Sequence, residues 1–379
     1  MPQHVPVIIV GGGQSGLAMA WHLQQKNIPF LILEGNQRIG DNWRQRWEGL
    51  RLFSPARYDS LPGTPFPASP WYLPNKDETA DYLESYASSH GFAVQTGTKV
   101  IRAIPTEQSI PQADSEHLPP RFTLETTQGE FTCDHLVVAM GSFHTPFIPK
   151  IKGIPQDLPQ WHTSTFKSHD QVPAGKVLVV GAGASGQQIA VILARQGREV
   201  ILSGPKVPNL PRKLLGRDVY WWMYKTGIIT TRRDTARGRK MLKQSEKQGD
   251  ISVGESKKLQ KELGIIRLGR LMHFDSNQAI LDTCTKTQPN SSHPPKHTET
   301  IGNIKGLIWA TGYRNDYSWI EGNTVLENGY PDHLRGVSNT LPGLYYVGLK
   351  FQYRINSATI GGVGADAEYV AEVIGTTKA

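Results

Sequence analysis

Two segments of the chain share one order of strand, glycine turn and helix. The first begins with VIIVGGGQSGLA at residue 7 and the second with VLVVGAGASGQQ at residue 177. In each, the first glycine permits a tight turn, the second lets backbone N–H groups approach a pyrophosphate, and the third lets helix and strand pack closely. The helix N-terminus adds a partial positive charge for the anion. The pattern predicts an α/β protein with two Rossmann-like dinucleotide-binding domains, whose turn glycines are Gly11, Gly13, Gly16, Gly181, Gly183 and Gly186.

The residue that follows the second strand distinguishes the two copies. In the first copy the strand over residues 30–33 ends at Glu34, which is placed to accept hydrogen bonds from a ribose diol. In the second copy we expect Ser203 at that position, followed by the cations Lys206 and Arg212. A carboxylate repels a 2′-phosphate, whereas a hydroxyl and cations attract it. The first site is thus predicted to take FAD and the second NADPH, because the flavin can accept the hydride that the nicotinamide gives.

The composition is typical of a loop-rich protein that does not cross a membrane. The 379 residues include 38 Gly and 26 Pro, and no uncharged apolar run reaches bilayer length. The strand at residues 5–10 leads directly into the first glycine turn, which leaves no cleavable leader, so we expect a cytoplasmic protein. Cys133 and Cys284 lie too far apart for a Cys-x-x-Cys pair, so neither a disulfide framework nor a dithiol redox centre is predicted. No metal site is predicted.

The formal charge of +8 is concentrated in one segment. Residues 206–262 contain 15 Lys and Arg against 6 Asp and Glu. Such a segment is suited to nucleic acid, an anionic membrane or a phosphorylated cofactor, and it is equally consistent with a solvated basic helical surface. No RNP, zinc-finger or helix-turn-helix signature accompanies it, so nucleic acid is not expected. A membrane, a phosphorylated cofactor and a solvated surface all stay compatible with the sequence.

The remaining patterns indicate an insertion of one domain into the other. A proline-dense crossing near residue 150 precedes the second glycine turn. The apolar strand near residue 306, which ends in Ala310-Thr311-Gly312, has the character of the first domain, where Ala139-Met140-Gly141 follows a similar strand. We therefore expect an FAD domain formed by residues 1–150 and 305–379, and an inserted NADPH domain at 151–304 with a basic helical segment at about 206–262. The polar loops at 108–120 and 285–300 carry no expected chemistry.

Further motifs accompany the two glycine turns. They are IGDNWRQRWEGLRLFSPARYDSLPGTPFP from residue 39, KDETADYLESYA from residue 76, WHTSTFK from residue 161, WATGY from residue 309 and GLYYVG from residue 343. With them the chain resembles the flavin-containing monooxygenase family, in particular its bacterial members and the plant indole-pyruvate monooxygenases. The resemblance implies the glutathione-reductase-like fold of flavoproteins with two dinucleotide-binding domains. Because Lys167 follows Phe166, where Baeyer–Villiger enzymes carry Trp-Pro or Trp-Asp, the plain flavin monooxygenases are favoured.

The resemblance also implies which residues hold the cofactors. Trp43 could instead be part of the core, and Arg44 could instead form a surface ion pair. His162 is expected to be a structural hinge residue. Ser54 falls near the position where animal relatives carry an asparagine beside the reactive flavin, so it is a flavin-proximal candidate, and no other catalytic residue is identified. The implied FAD site is Gly11, Gly13, Gln14, Ser15, Gly16, Glu34, Trp43, Arg44, Val100, Gly141 and Gly312, and the implied NADPH site is Gly181, Gly183, Ser185, Gly186, Ser203, Lys206, Arg212, Ala310 and Thr311.

The implied activity is that of an NADPH-dependent flavoprotein monooxygenase. NADPH gives hydride to the flavin, the reduced flavin adds O2 at C4a, and the hydroperoxide passes one oxygen to a small amine, sulfide or 2-oxo acid. The competing hypotheses are a Baeyer–Villiger monooxygenase, an NADPH-dependent flavin reductase or oxidase that oxygenates nothing, and a flavin-bearing regulatory protein. The expected partners are the substrate and O2, with a homodimer as a candidate assembly. The substrate is not determined by the sequence.

Overall fold

A seven-stranded sheet forms the centre of the first domain. The computed structural model describes residues 2–106, 121–248, 252–254, 256–283, 297–323, 325–327 and 329–376. The strands are parallel from Leu344–Tyr346 to Val94–Gln95, and the two strands before Leu344–Tyr346 are antiparallel. The order across the sheet is His333–Leu334, Val337–Ser338, Leu344–Tyr346, His135–Val138, Val7–Val10, Phe30–Leu33 and Val94–Gln95.

Alternating side chains of the strand Val7–Val10 supply two cores. Val7 and Ile9 face the core that holds the helices, whereas Ile8 and Val10 face a smaller sheet. This alternation follows from the two-residue period of a strand that is buried on both faces. The helices are Gln14–Gln25, Lys76–Ser89 and Gly364–Thr376, and the smaller sheet is Gln3–His4, Gly129–Cys133, Phe122–Thr126 and Val100–Pro105.

The second domain repeats this arrangement on a five-stranded parallel sheet. The helix Ala184–Arg195 covers one face, where Val177 and Val179 are buried. A three-stranded antiparallel sheet covers the other face, where Leu178 and Val180 are buried. The central order is Gln160–His162, Ile304–Trp309, Lys176–Val180, Glu199–Ser203 and Ile266–Leu268, and the covering strands are Leu271–Asp275, Gln278–Asp282 and Thr298–Ile301.

The expected domain boundary at residue 305 is wrong. The strand Ile304–Trp309 pairs in parallel with Lys176–Val180, in the centre of the second sheet. Its burial on both faces resembles that of His135–Val138, so the sequence pattern does not reveal which sheet takes it. The chain returns to the first domain as Tyr313–Arg314, which pairs antiparallel with the outgoing Thr145–Pro146. The two crossings between domains therefore form one short ribbon.

The basic segment is only partly helical. Short strands alternate with its helices: Asn209–Leu210 pairs with Ser252–Val253, and Lys213–Leu214 pairs with Arg217–Asp218. None of the described helices is long and apolar enough to cross a bilayer. Cys284 and most of the two polar loops lie outside the described residues. The helices of the segment are Val219–Lys225, Ala236–Gln248 and Lys257–Glu262, and elsewhere Asp41–Arg44, Ala56–Tyr58 and His169–Gln171 form short helical turns.

Candidate cofactor sites and a buried carboxyl cluster

Glycine is needed at the three positions of the first turn for different structural reasons. Gly11 has a positive φ of 107°, and a Cβ there would lie 2.9 Å from the carbonyl oxygen of Ala139. A Cβ on Gly16 would collide with the carbonyl oxygen of Gly11. A Cβ on Gly13, by contrast, would meet no atom of the described residues within 4 Å. The fold therefore requires the outer two glycines, whereas the middle one leaves an open space at the helix N-terminus, where a pyrophosphate fits.

Glu34 is fixed beside this open space. Its Oε2 accepts a hydrogen bond from the backbone N–H of Gly12 at 2.7 Å, and its Oε1 accepts two from Asn36, at 2.8 Å and 2.7 Å. The residue is buried at the carboxyl end of the strand Phe30–Leu33. A carboxylate held in this way next to the turn can accept the hydroxyl groups of a ribose. The residues of the first turn thus fit an adenine dinucleotide with a free ribose diol.

The second turn has the same construction. Gly181 has a positive φ of 110°, and a Cβ there would collide with the carbonyl oxygen of Ala310. A Cβ on Gly186 would collide with the carbonyl oxygen of Gly181, whereas a Cβ on Gly183 would meet no atom within 4 Å in the part of the chain that the structure describes. The second turn therefore also offers an open space in front of a helix N-terminus. The residues fit a second dinucleotide.

The strand register corrects the position assigned to Ser203. Val10 pairs with Leu33 in the first sheet, and Val180 pairs with Ser203 in the second. Ser203 is thus the equivalent of Leu33, and Gly204 is the equivalent of Glu34. The Ser203 side chain is fully buried and donates to the carbonyl of Gly269 at 2.8 Å, so it does not reach a 2′-phosphate. The prediction that this position lacks a carboxylate still holds, because Gly204 has no side chain.

The two cations that follow Ser203 have different surroundings. Arg212 Nη1 donates to the carbonyl of Phe53 in the first domain, and Nη2 lies 2.7 Å from Asp218 Oδ2 as an ion pair without the alignment of a hydrogen bond. The expectation that Arg212 binds the 2′-phosphate is therefore not supported. Lys206 is exposed in the loop that follows Gly204. Lys206 is the better candidate for that contact.

Arg44 forms a surface ion pair in the structure. Its Nη2 lies 2.8 Å from Asp81 Oδ1 and 2.7 Å from Glu84 Oε2, and its Nη1 donates to the carbonyl of Ile39 at 2.8 Å. These partners occupy the guanidinium, so a contact with FAD is not supported. Trp43 packs against the cores of both domains, which agrees with a place in the core.

The turns after the two central strands lie at the junction of the domains. Gly141 and Gly312 both have positive φ, 71° and 79°, and a Cβ on either would meet no neighbour among the described residues, so backbone conformation accounts for the glycines. His162 Nε2 donates to the carbonyl of Gly312 at 3.0 Å, and burial lowers the pKa of this histidine. Thr311 Oγ1 donates to the carbonyl of Phe147. His162 therefore contacts the segment that returns to the first domain, and its role as a hinge residue stays a prediction.

Three predicted contacts lie in the first turns of the two glycine-turn helices. Gln14 and Ser15 begin the helix Gln14–Gln25, and Ser185 lies near the start of Ala184–Arg195. Val100 begins the strand Val100–Pro105, and its side chain packs against the core between the two sheets. Their contacts with cofactors remain predictions.

The sequence reasoning missed a buried carboxyl beside Ser54. Ser54 Oγ donates to Asp59 Oδ1 at 2.5 Å, and Asp59 is only 1% exposed. Asp59 Oδ2 has no hydrogen-bond partner among the described residues. Burial raises the pKa of Asp59 to about 7, although the Ser54 hydrogen bond and the Arg212 charge oppose the shift. The site therefore holds a carboxyl that titrates near neutral pH.

The residue before this carboxyl, Tyr58, packs against an aromatic residue from a distant part of the chain. The rings of Tyr58 and Tyr224 stack at 4.2 Å with an angle of 7° between them. Tyr224 also hydrogen-bonds Asn356, whose Oδ1 lacks a partner among the described residues. A Cβ on Gly361 would collide with the carbonyl oxygen of Tyr58, so this glycine lets the C-terminal segment pack closely. Asp59 lies within the motif that begins at residue 39, but the motif does not reveal its burial, which depends on these distant segments.

Comparison with known proteins identifies the family. Residues 8–212 match the family model described as pyridine nucleotide-disulphide oxidoreductase. The chain is 39% identical over 372 residues to an uncharacterized oxidoreductase, CzcO-like, of Geobacillus kaustophilus, which covers 97% of this chain and 98% of the relative. It is 27% identical over 395 residues to the probable indole-3-pyruvate monooxygenase YUCCA9 of Arabidopsis thaliana, covering 97% and 88%. The chain belongs to the flavin-containing monooxygenase family of these oxidoreductases.

A solved structure supports the same fold. The flavin-containing monooxygenase from Stenotrophomonas maltophilia superposes with a TM-score of 0.73 at 20% identity and covers 98% of each chain. The predicted fold class of a flavoprotein with two dinucleotide-binding domains is confirmed. The family uses FAD and NADPH, so the expected cofactors are confirmed as well. The chain is an oxidoreductase.

The position of Lys206 predicts the preference between nicotinamides. We expect Lys206→Glu to lower kcat/KM for NADPH by about 10- to 150-fold, because a charge-assisted contact to phosphate contributes about 1.5–3 kcal/mol. The kcat/KM for NADH, which lacks the 2′-phosphate, should change by less than about twofold. Steady-state flavin reduction measures both. Lys257→Glu, an equal charge reversal at an exposed lysine, is the control, and an equal loss for both nicotinamides would contradict the contact.

Proposed function

We propose that the protein is an NADPH-dependent flavoprotein monooxygenase that inserts one oxygen atom of O2 into a small organic substrate. The observation that carries this proposal is the duplicated glycine turn, each copy with an open space at its middle glycine. Glu34 beside the first space suits the ribose of FAD, and Lys206 after the second suits NADPH. Two such sites in one chain serve hydride transfer from nicotinamide to flavin. The 27% identical plant relative, a probable indole-3-pyruvate monooxygenase, supports the oxygenating branch.

When bound, FAD would supply the redox chemistry, taking hydride from NADPH and activating O2 for transfer of one oxygen atom to an amine, a sulfide or a 2-oxo acid. The residues of the chain would bind and orient the cofactors and would exclude water. Gly13 and Gly183 leave room for the two pyrophosphates. His162 holds the turn at Gly312 between the domains. Ser54 and Asp59 form a buried hydrogen-bonded pair whose carboxyl can hold a proton near neutral pH.

Two rival activities share these cofactors. A Baeyer–Villiger monooxygenase would oxygenate ketones, and a reductase or oxidase would return electrons to O2 as H2O2 without product. A disulfide-reducing centre is not supported for Cys133, because this thiol is fully buried and burial raises its pKa. A flavin-bearing regulatory protein would not need the second turn.

The reaction of reduced protein with O2 tests the proposal. After reduction by NADPH and mixing with O2 without substrate, we expect a transient absorbance band in the near ultraviolet before oxidised flavin returns. The reason is that NADP⁺ retained on the second turn keeps water from the flavin. Protein reduced by dithionite without NADP⁺ is the matched control and should show a shorter-lived transient.

Substrate then decides between the rivals. An amine, a sulfide or a 2-oxo acid that shortens the transient and yields an oxygenated product with equivalent NADPH consumption supports the proposal. A ketone converted to an ester would favour Baeyer–Villiger activity. Reoxidation in one fast phase with stoichiometric H2O2, for every substrate class, would favour the reductase or oxidase. The cytoplasmic location and the homodimer remain proposals.

A further inference from the structure

A hairpin in the basic segment presents leucines to solvent. The strands Lys213–Leu214 and Arg217–Asp218 are joined by a tight turn. Leu214 is 46% exposed and Leu215 is 82% exposed. Leu215 also has a positive φ of 49°, a conformation that glycine or asparagine adopts at lower cost. Neither the turn nor the core therefore requires leucine at the tip.

Exposed cations lie in the hairpin and at the end of the adjacent helix. Lys213, Arg217 and Lys225 are exposed, and within the described part of the chain none of them has a carboxylate oxygen within 4.0 Å. The guanidinium of Arg217 lies 4.6 Å from the ring centroid of Trp221. The apolar tip thus has a basic and aromatic border.

The hairpin is held firmly on the domain. Trp222 Nε1 donates to the carbonyl of Leu214 at 2.9 Å, and Asp218 both caps the helix Val219–Lys225 and pairs with Arg212. Val219 and Tyr220, which begin that helix, are buried. The leucines are therefore presented on a fixed support, and their exposure is part of the fold.

We propose that this hairpin, residues 213–218 with the adjacent helix, binds the surface of an anionic phospholipid bilayer. Leu214 and Leu215 enter the boundary between headgroups and acyl chains, the indoles lie at headgroup depth, and the three cations contact lipid phosphates. Charge favours lipid over a second copy of this chain. A two-fold contact through the hairpin would bring the unpaired cations of both copies together.

Flotation with lipid vesicles tests the surface in the cofactor-loaded protein. We expect binding to vesicles of phosphatidylcholine with phosphatidylglycerol at low salt, and much weaker binding to phosphatidylcholine alone. Leu215→Ser should weaken vesicle affinity by about tenfold, because it removes most of a leucine's apolar area. Arg217→Glu should weaken it by at least about fivefold, since one cation near an anionic surface contributes about that factor.

Matched substitutions elsewhere keep the test specific. Leu334→Ser changes another exposed leucine, and Lys26→Glu reverses another exposed lysine, both in the first domain. These variants should bind vesicles like the parent protein. Retained FAD absorbance and circular dichroism verify folding of all four. No binding to anionic vesicles, or binding that the hairpin variants leave unchanged, would overturn the proposal. A hairpin variant that instead dissociates a dimer, with no vesicle binding by the parent, would assign the surface to self-association.

Discussion

Replacing Gly13 with valine is expected to give a folded protein that no longer binds FAD. Within the described ranges a Cβ at this position meets no atom within 4 Å, and the backbone is extended with φ of −78°, so the substitution creates no clash with them. The loss of glycine at the helix N-cap costs about 1 kcal/mol. The added side chain, however, fills the space where the pyrophosphate must approach the backbone. We expect FAD affinity to fall by more than about 100-fold, measured by flavin fluorescence and the yellow colour of the purified protein.

The corresponding substitution in the second turn tests the second cofactor site. Gly183→Val should leave FAD bound and abolish rapid flavin reduction by NADPH, because a Cβ there also meets no protein atom. Gly16→Val is the control for a structural glycine. Its Cβ would collide with a backbone carbonyl, so this variant should lose stability whether or not cofactor is present. If Gly13→Val kept FAD, or if Gly183→Val released it, the assignment of the two sites would be wrong.

Stability should depend on pH through Asp59. Its pKa is raised from the ordinary 3.8 to about 7 in the folded chain because the carboxyl is buried. Between about pH 4 and pH 7 the unfolded chain therefore releases a proton that the folded chain keeps. The contribution of Asp59 to the free energy of unfolding falls as pH rises through this window, by about 4 kcal/mol in total. Above the window this contribution is constant.

Asp59→Asn should remove this dependence. The amide oxygen can still accept the Ser54 hydrogen bond, and no charge needs to be buried at high pH. We expect urea unfolding midpoints at pH 5 and pH 8 to move closer together than in the parent protein, with the variant more stable at pH 8. Asp157→Asn, which changes an exposed carboxylate, is the control and should preserve the parent's pH dependence. A variant less stable than the parent at pH 8 would show that ionised Asp59 has a stabilising partner.

Local sequence patterns predicted the secondary-structure elements well, but they predicted the pairing of the strands less well. The strand Phe30–Leu33 and both glycine turns follow from apolar runs and glycine spacing, and they lie where expected. The shift from Ser203 to Gly204 arose because a strand's last residue is set by its hydrogen bonds to Lys176–Val180, which the sequence does not display. The strand Ile304–Trp309 was misplaced for the same reason.

The polar residues of the site show a second limit of prediction from the sequence. Arg44 has the position of a cofactor contact in the family motif, yet Asp81 and Glu84 on another helix bind it. Asp59 lies in the motif that begins at residue 39, but its pKa depends on burial among residues from distant parts of the chain. Charge partners and burial are properties of the packed chain, so spacing along the sequence could not provide them.

The ribbon between the domains has a consequence for how such a protein can arise and be altered. Pro146 and Tyr313 are paired neighbours, so the intervening 166 residues leave and rejoin the host at almost one point. An insertion with adjoining ends leaves the strand order of the host unchanged. The corresponding module of a relative could therefore replace these residues without changing the strand order of the host, provided that it restores the packing against Trp43 and the contact with Phe53.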